Sequence, residues 1–437
     1  MSLLEPSPLI PGATDRGNDL RVEHGKQRSI DAWMWPLDGR VQHYAWGSHT
    51  ALARLQGRPY PTEAPEAELW FGAHETAPSA VHGPAGPQAL DAAIARAPQR
   101  LLGEVTAARF GGRMPFLLKV LAAARPLSLQ VHPDLPQAIH GYALEERAAI
   151  PRDAPQRCFR DAWPKPELLR ACTPFAALCG FRDPARTRAL LEVLELPGTA
   201  WIDRELAEGR RSALPGITEG LLRLPATERR QLLASLRAVT DSELSRPHAW
   251  AATRRWLRRL ATNDPDDPGV LVALLLELIE LAPGEALSVP PGTPHAYLEG
   301  VGVEILAASD NVLRGGMTGK HVDVARFVGL LDATGHAGPP RAGRVPRRTV
   351  HPGHHRYLGA TPYFQLDECT ADAEVHRLER TGATIVLCLD GDLRLTEQNR
   401  ELGLQPGQAA FLAGGGPPVT LRCTGTAMVA GPGPQRR

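Results

Sequence analysis

The sequence predicts a mainly β protein with a helical insertion: a jelly-roll-type barrel, an inserted helical subdomain and a second C-terminal barrel. Three observations lead there. The 42 glycines and 41 prolines in 437 residues exceed average usage of about 7% and about 5%, and they are spread along the chain, which suits many short strands joined by tight turns. The stretch "PLSLQVHPD" (126–134) alternates apolar Leu127, Leu129 and Val131 with polar Ser128, Gln130 and His132, the period of a strand with one dry face. Between about 184 and 263 the texture changes to Leu, Ala, Arg and Glu, with Pro or Gly between short runs, as in helix–turn–helix segments.

Composition narrows the function classes. At 43% hydrophobic and 22% charged, the chain is globular and long enough for two or three domains. With 49 basic against 48 acidic residues, it offers no electrostatic case for nucleic acid or an anionic membrane. No apolar run approaches the ~20 residues of a membrane span, and the N-terminus lacks the pattern of a signal peptide. The six cysteines form no C-x-x-C, so buried thiols in a reducing compartment, the cytoplasm, are expected.

In order along the chain, residues 1–34 are polar and aperiodic, the pattern of a poorly ordered extension. Residues 35–183 alternate short apolar runs with turns and form the first part of the barrel. One helix is expected in "QALDAAIARAPQRLLG", where Leu90, Ile94 and Leu101 recur at helical spacing. Residues 184–263 are the helical insertion, and its arginine-rich faces are solvated helix surface. Residues 264–344 return to strands through "APGEALSVPPGTPHAYL", two strands and a tight connection. Residues 345–437 repeat that unit in "ATIVLCLDGDLRLT" and "LGLQPGQAAFLAGGG". No histidine follows this second turn, so the C-terminal barrel is expected to be structural and free of metal.

Metal-type residues fall on three of these stretches. Gln130 and His132 share one strand face. In "PKPELLRA", Lys165 and Glu167 are two apart, and the prolines favour an extended backbone there. His295 follows a rigid Pro-Gly-Thr-Pro turn. Two imidazoles, a carboxylate and an amide oxygen would suit a divalent metal such as zinc. A lone strand histidine is more often a hydrogen-bonded structural residue, and His24, His43, His49, His74, His140, His351, His354 and His355 are assigned to surface or structural roles.

The stretches "YAWGS", "ELWFGAHETAPS", "PFLLKVLAAARPLSLQVHPD", "KPELLRACTPFAALCGF" and "PPGTPHAYLEGVGVEILAASDNVLRGGMTGKHVDV" resemble, in order and spacing, the type I phosphomannose isomerases. The resemblance runs from about 35 to 335, and the C-terminal barrel also fits. It implies a cupin-type fold with a helical insertion and one zinc held by Gln130, His132, Glu167 and His295. It also implies interconversion of mannose 6-phosphate and fructose 6-phosphate through a cis-enediol, with a sugar phosphate as the partner molecule. By the same motifs, Lys119, which is expected on a strand neighbouring Gln130, resembles a substrate-site lysine and Lys165 an active-site lysine. Asp310 and Arg314 resemble residues lining the catalytic centre, with Asp310 placed to orient the guanidinium. Trp46 resembles a pocket wall, and Ser128 is a donor for the phosphate.

Two departures stand out. Many relatives carry Asn-His before Lys-Pro-Glu where this chain has Trp163-Pro164, which removes a histidine proton carrier and leaves Asp310, Lys165 or a metal-bound water. The lysine common after "HPD" is Leu135. Two rivals remain at this stage: a non-haem iron oxygenase on the same frame, which metal analysis would identify, and a sugar-phosphate-binding protein without turnover, for which Pro164 is the only support.

Overall fold

The computed structural model describes residues 33–83, 86–239, 249–333, 342–359, 361–373 and 375–434. It is β-rich with helices, and its strands form an eleven-stranded, a nine-stranded and a four-stranded sheet. The proposed N-terminal extension lies outside the described residues up to residue 32. Its last residue, Met34, instead opens a strand.

The longest strand, His295–Ala307, is the spine of the eleven-stranded sheet. Its C-terminal part lies antiparallel between Phe116–Ala123 and Glu167–Ala171. Its N-terminal part lies between Leu129–Val131 and Phe175–Phe181. One strand serves both pairs because it bends at Gly300, where φ is +131° and a Cβ would stand 2.7 Å from the Pro174 carbonyl oxygen. Lys119 is therefore not on a strand adjacent to Gln130, as expected. The two strands meet the spine at different points, because Leu129–Val131 pairs with the spine only at His295.

Side-chain alternation sorts Phe116–Ala123 onto two buried faces. Phe116, Leu118, Val120 and Ala122 join the core that also contains Ile385, Leu387 and Phe411 of the C-terminal block. Leu117, Lys119 and Leu121 alternate to the opposite face. Val386 and Cys388, one residue out of phase with Ile385 and Leu387, join the core with Leu393, Leu395 and Leu421 of the four-stranded sheet. The nine-stranded sheet thus contributes to a core on each face.

That middle sheet does not follow the division at residue 345. Met34–Asp38 pairs with Ala409–Leu412 on one side and Ala80–Gly83 on the other, so early strands complete a sheet made mostly of late ones. Within the C-terminal block, the Asp-Gly and Pro-Gly turns have φ of +67° at Gly391 and +79° at Gly407, which fits the turn chemistry of the sequence.

The insertion separates two strands that pair with each other, Phe175–Phe181 and Leu276–Leu281. Between them lie helices Pro184–Leu194, Ala200–Leu206, Leu214–Leu222, Ala226–Arg237 and Ala251–Asn263. The first starts sharply because Asp183 accepts from the Ala185 and Arg186 N–H groups and Pro184 needs no partner. Fully buried Arg182 ties the entry to the exit by donating to the carbonyls of Leu274, at 2.8 Å, and Leu276.

Two helix expectations change. "QALDAAIARAPQRLLG" forms two short helices, Leu90–Arg96 and Pro98–Leu102, because Pro98 drives Ala97 out of the helical region (φ −147°, ψ 61°). A 13-residue helix, Leu135–Arg147, follows the "HPD" turn and was not expected. Its signal is local: Asp134 and Gln137 form a reciprocal capping box, with proline in the first turn.

The nine-stranded sheet carries a testable ion pair. Asp367 accepts two 2.8 Å bonds from Arg356 and lies 2.9 Å from His354 Nε2. Burial would raise its carboxyl, but these partners outweigh burial and hold it below the usual carboxylate range. A depressed folded value means that the stabilisation is present above the unfolded value, about 3.9, and is lost as pH falls through the folded one. Asp367→Asn is therefore expected to destabilise the protein by about 2 kcal/mol at neutral pH, with a deficit that shrinks below about pH 4. Paired thermal melts across pH would contradict this if the deficit grew on acidification.

Candidate active site

Three side chains converge inside the eleven-stranded sheet: Glu167 and His295 each open a strand, and His132 directly follows the strand Leu129–Val131. His132 Nε2 is 3.1 Å from Glu167 Oε1, and His295 Nε2 is 3.4 Å from Glu167 Oε2. All three residues are buried, with exposures of 1%, 4% and 3% for His132, Glu167 and His295. One ligand-type atom from each lies within 4.8 Å of the others. Gln130 pairs directly with His295 across the sheet, so the two share a face.

The backbone fixes how the imidazoles point. His132 Nδ1 donates to the Asn311 carbonyl at 2.7 Å and His295 Nδ1 to the Thr293 carbonyl at 2.9 Å. Each proton is thereby assigned to Nδ1, leaving the Nε2 lone pairs to face Glu167. His132 Nε2 is buried and makes no hydrogen bond, and burial pushes the imidazole down to about 4, with Lys165 adding to the effect. An orphaned neutral nitrogen beside a second imidazole and a carboxylate fits a divalent cation.

Two tethers hold this geometry. In the Pro-Gly turn before His295, Gly292 donates to the His132 carbonyl at 2.8 Å, and its φ of +79° excludes larger residues. Asn311, fully buried, receives the N–H groups of Arg160 and Asp161 on its side-chain oxygen. Its amide donates to the Asp161 and Trp163 carbonyls. The same residue thus clamps the loop before Lys165 and presents the carbonyl that orients His132.

Beneath the convergence the charges are nearly balanced. Lys165 Nζ is 3.2 Å from Glu167, and Lys119 Nζ is 3.4 Å from both Glu68 and Glu304. Three carboxyl groups share two ammonium groups there, so that the charges nearly cancel. Burial, then Glu167, pushes Glu304 up to about 7. Burial opposes the charge on Lys119, but Glu68 and Glu304 outweigh it and raise the ammonium above its ordinary range.

The mouth is cationic. Arg314 pairs directly with Gln130 and so projects from the same face. Burial, then Arg160, lowers its guanidinium, and burial, then Arg314 and Arg160, lowers the Lys320 ammonium. These three cations are therefore close together, and none has a carboxylate partner among the described residues. Lys320 sits 5.7 Å over the Tyr44 ring, which stacks on Trp46 at 5.6 Å. Ser128 accepts from the Gln130 amide at 3.1 Å.

Asp310 does not orient Arg314, as expected from sequence. It pairs with His74 Nε2 at 3.0 Å, and because His74 Nδ1 accepts from the Thr76 N–H, the Nε2 proton is the one donated to Asp310. Burial would raise the Asp310 carboxyl, but His74 outweighs this and lowers it. Sequence reading also missed Glu68, Glu304, Asn311, Arg160 and Lys320. Glu68, Glu304, Asn311 and Lys320 all stood within quoted motifs, but what each does becomes visible only through partners distant in sequence, and Arg160 lay outside every quoted motif.

Known proteins resemble this chain over most of its length. The family model for the phosphomannose isomerase type I catalytic domain matches residues 34–184. Mannose-6-phosphate isomerase from Escherichia coli K12 is 37% identical over 397 residues, covering 89% of this chain and 97% of that enzyme. The chain belongs to the type I phosphomannose isomerase family. Its Salmonella typhimurium relative, also a mannose-6-phosphate isomerase, is 36% identical, with 90% of this chain and 98% of that one covered. A zinc-bound crystal structure of a mannose 6-phosphate isomerase superposes with a TM-score of 0.83 at 34% identity, over 92% of this chain and 100% of that one.

Trp163-Pro164 stands directly before Lys165. The Trp163 ring packs against Phe110 and Tyr363, with the Arg113 guanidinium 4.7 Å over it. The loop is thereby anchored to the C-terminal block, while its main chain still feeds Asn311.

The Asn311 clamp has a measurable consequence. Asn311→Ala is expected to weaken divalent-metal binding about 10- to 100-fold by loosening the carbonyl that orients His132. Competition with a chromophoric chelator measures this, and unchanged affinity would show that His132 does not depend on the clamp.

Proposed function

We propose that this chain interconverts mannose 6-phosphate and fructose 6-phosphate by moving a proton between C2 and C1 through a cis-enediol. One zinc is held by Gln130, His132, Glu167 and His295 on a cupin-type barrel, and the C-terminal block forms a second, metal-free barrel. The observation that carries the reading is the convergence of two Nδ1-anchored imidazoles on buried Glu167, with His132 Nε2 orphaned. The names of the relatives and the zinc-bound neighbour support it. Two histidines and a carboxylate would also suit the iron of an oxygenase; the zinc-bound neighbour and the cationic Arg314, Arg160 and Lys320, suited to a sugar phosphate, favour the isomerase over that alternative.

Bound there, zinc supplies positive charge that polarises carbonyl and hydroxyl oxygens without redox chemistry. The remaining work belongs to side chains. Arg314, on the Gln130 face, offers its guanidinium to the developing enediolate. The neighbouring Arg160 and Lys320, with Ser128, receive the phosphate, and Trp46 with Tyr44 walls the sugar. With Pro164 where relatives carry histidine, proton transfer falls to Asp310 or Lys165. Asp310 is kept ionised by the His74 N–H, and Lys165 is held against Glu167. Lys119 lies deeper and fixes positive charge between Glu68 and Glu304 below the reacting carbons.

A coupled assay with mannose 6-phosphate is the direct test. Turnover should vanish when a chelator strips the metal and return with one equivalent of zinc per chain. Turnover by verified metal-free protein would overturn the reading. His295→Ala should lose both stoichiometric zinc and nearly all activity.

Arg314 separates chemistry from binding. If it faces the enediolate, Arg314→Ala should lower kcat by about 10²-fold or more with KM much less changed. Near-normal kcat with a large rise in KM would move it to the phosphate beside Arg160 and Lys320.

A further inference from the structure

We propose a second divalent-metal site, of the zinc class and weaker than the first, at the rim of the pocket, formed by Cys158, His321 and Asp323. Among the described residues two groups of histidine, cysteine and carboxylate side chains bring their ligand-type atoms within 4.8 Å of one another, and this is the second. A thiolate, an imidazole and a carboxylate form the set that borderline-soft ions such as zinc or cobalt prefer, with one position left for water.

The three side chains are held in different ways. Cys158 is buried and in no disulfide; among the described residues its thiol donates only to the Gln156 carbonyl, at 3.6 Å, and its N–H donates to the buried Glu145 carboxylate at 3.1 Å, which fixes the start of the loop that runs on to Arg160. Asp323 caps helix Val324–Leu330 by accepting from the Arg326 N–H at 3.0 Å, so its carboxylate is oriented before any ion arrives. His321 is exposed and makes no side-chain hydrogen bond among the described residues, which leaves its imidazole free to close on an ion.

Arg326 is the competing cation. It is 3.4 Å from Asp323 and also contacts the Cys158 thiol. It is paired as well with Glu145, whose side chain is fully buried, so it keeps an anionic partner when Asp323 and the thiol turn to a metal. One exposed ligand and a neighbouring cation make this site the weaker of the two. Its position links it to the pocket: His321 directly follows Lys320, and Cys158 is two residues before Arg160. An ion here would tie together the two segments that carry the unpaired mouth cations.

Cobalt distinguishes the sites, because the proposed buried site has no sulfur ligand. Titrating cobalt(II) into protein already holding one zinc should raise a near-ultraviolet thiolate-to-cobalt charge-transfer band that saturates at one equivalent and is bleached by added zinc. Cys158→Ser should abolish the band. His321→Ala, at an exposed position where folding is not at stake, should weaken cobalt binding about 10-fold or more, at least the loss typical of removing an outer partner of a ligand. No band at millimolar cobalt, a band that survives in Cys158→Ser, or unchanged affinity in His321→Ala would each overturn the proposal.

Discussion

A carboxylate buried to 4% exposure is the constraint around which this molecule is arranged. Removing an ion such as Glu167 from water costs several kcal/mol even after relaxation, and a single partner rarely offsets that. Here Lys165 is the only cation beside it among the described residues, at 3.2 Å, while two imidazole nitrogens face it at 3.1 and 3.4 Å. Those imidazoles have already committed their protons to backbone carbonyls, so hydrogen bonds from them do not satisfy the carboxylate. The cluster is complete only with a cation at its centre, and its burial is tolerable for the same reason.

The topology serves that requirement. A single strand, His295–Ala307, supplies a candidate ligand at its first residue and Glu304 near its end, and it pairs with the strands that carry Gln130, Lys119 and Glu167. Rigidity comes from hydrogen bonds that join candidate ligands through their backbones, such as Gly292 to the His132 carbonyl. The helical insertion perturbs none of this because it leaves and re-enters between two strands that pair with each other. Arg182 closes that gap by donating to main-chain carbonyls on the returning segment.

What was legible in the sequence was local. The alternation through Leu127–His132, the two-residue spacing of Lys165 and Glu167 and the turn before His295 each mark a side chain's face without knowledge of its partner. What was hidden depends on pairing between distant segments. Met34–Asp38 looks like the start of the first barrel, yet it pairs with Ala409–Leu412, and nothing within five residues reveals a partner nearly the whole chain away. Glu68, Glu304 and His74 look like ordinary strand or loop polar residues until Lys119 and Asp310 are brought against them. The helix Leu135–Arg147 is a different case, since its capping box was present in the sequence and the strand pattern around it drew attention away.

Charge is also segregated by depth, and this separates two jobs that one substrate would impose. Below the convergence of His132, Glu167 and His295, lysines are neutralised by carboxylates, so the interior presents little net positive charge to a phosphate. At the mouth Arg314, Arg160 and Lys320 stand close together without carboxylate partners among the described residues, an arrangement that desolvation and mutual repulsion make costly and that a bound anion would relieve. A dianionic phosphate would relieve that repulsion at the rim while the sugar carbons reach inward. If Glu68 and Glu304 were absent, Lys119 would extend the positive field to the floor, and the phosphate would compete for the space that the reacting carbons need. On the proposed reaction, the buried glutamates would thus help to set the direction in which a sugar phosphate enters.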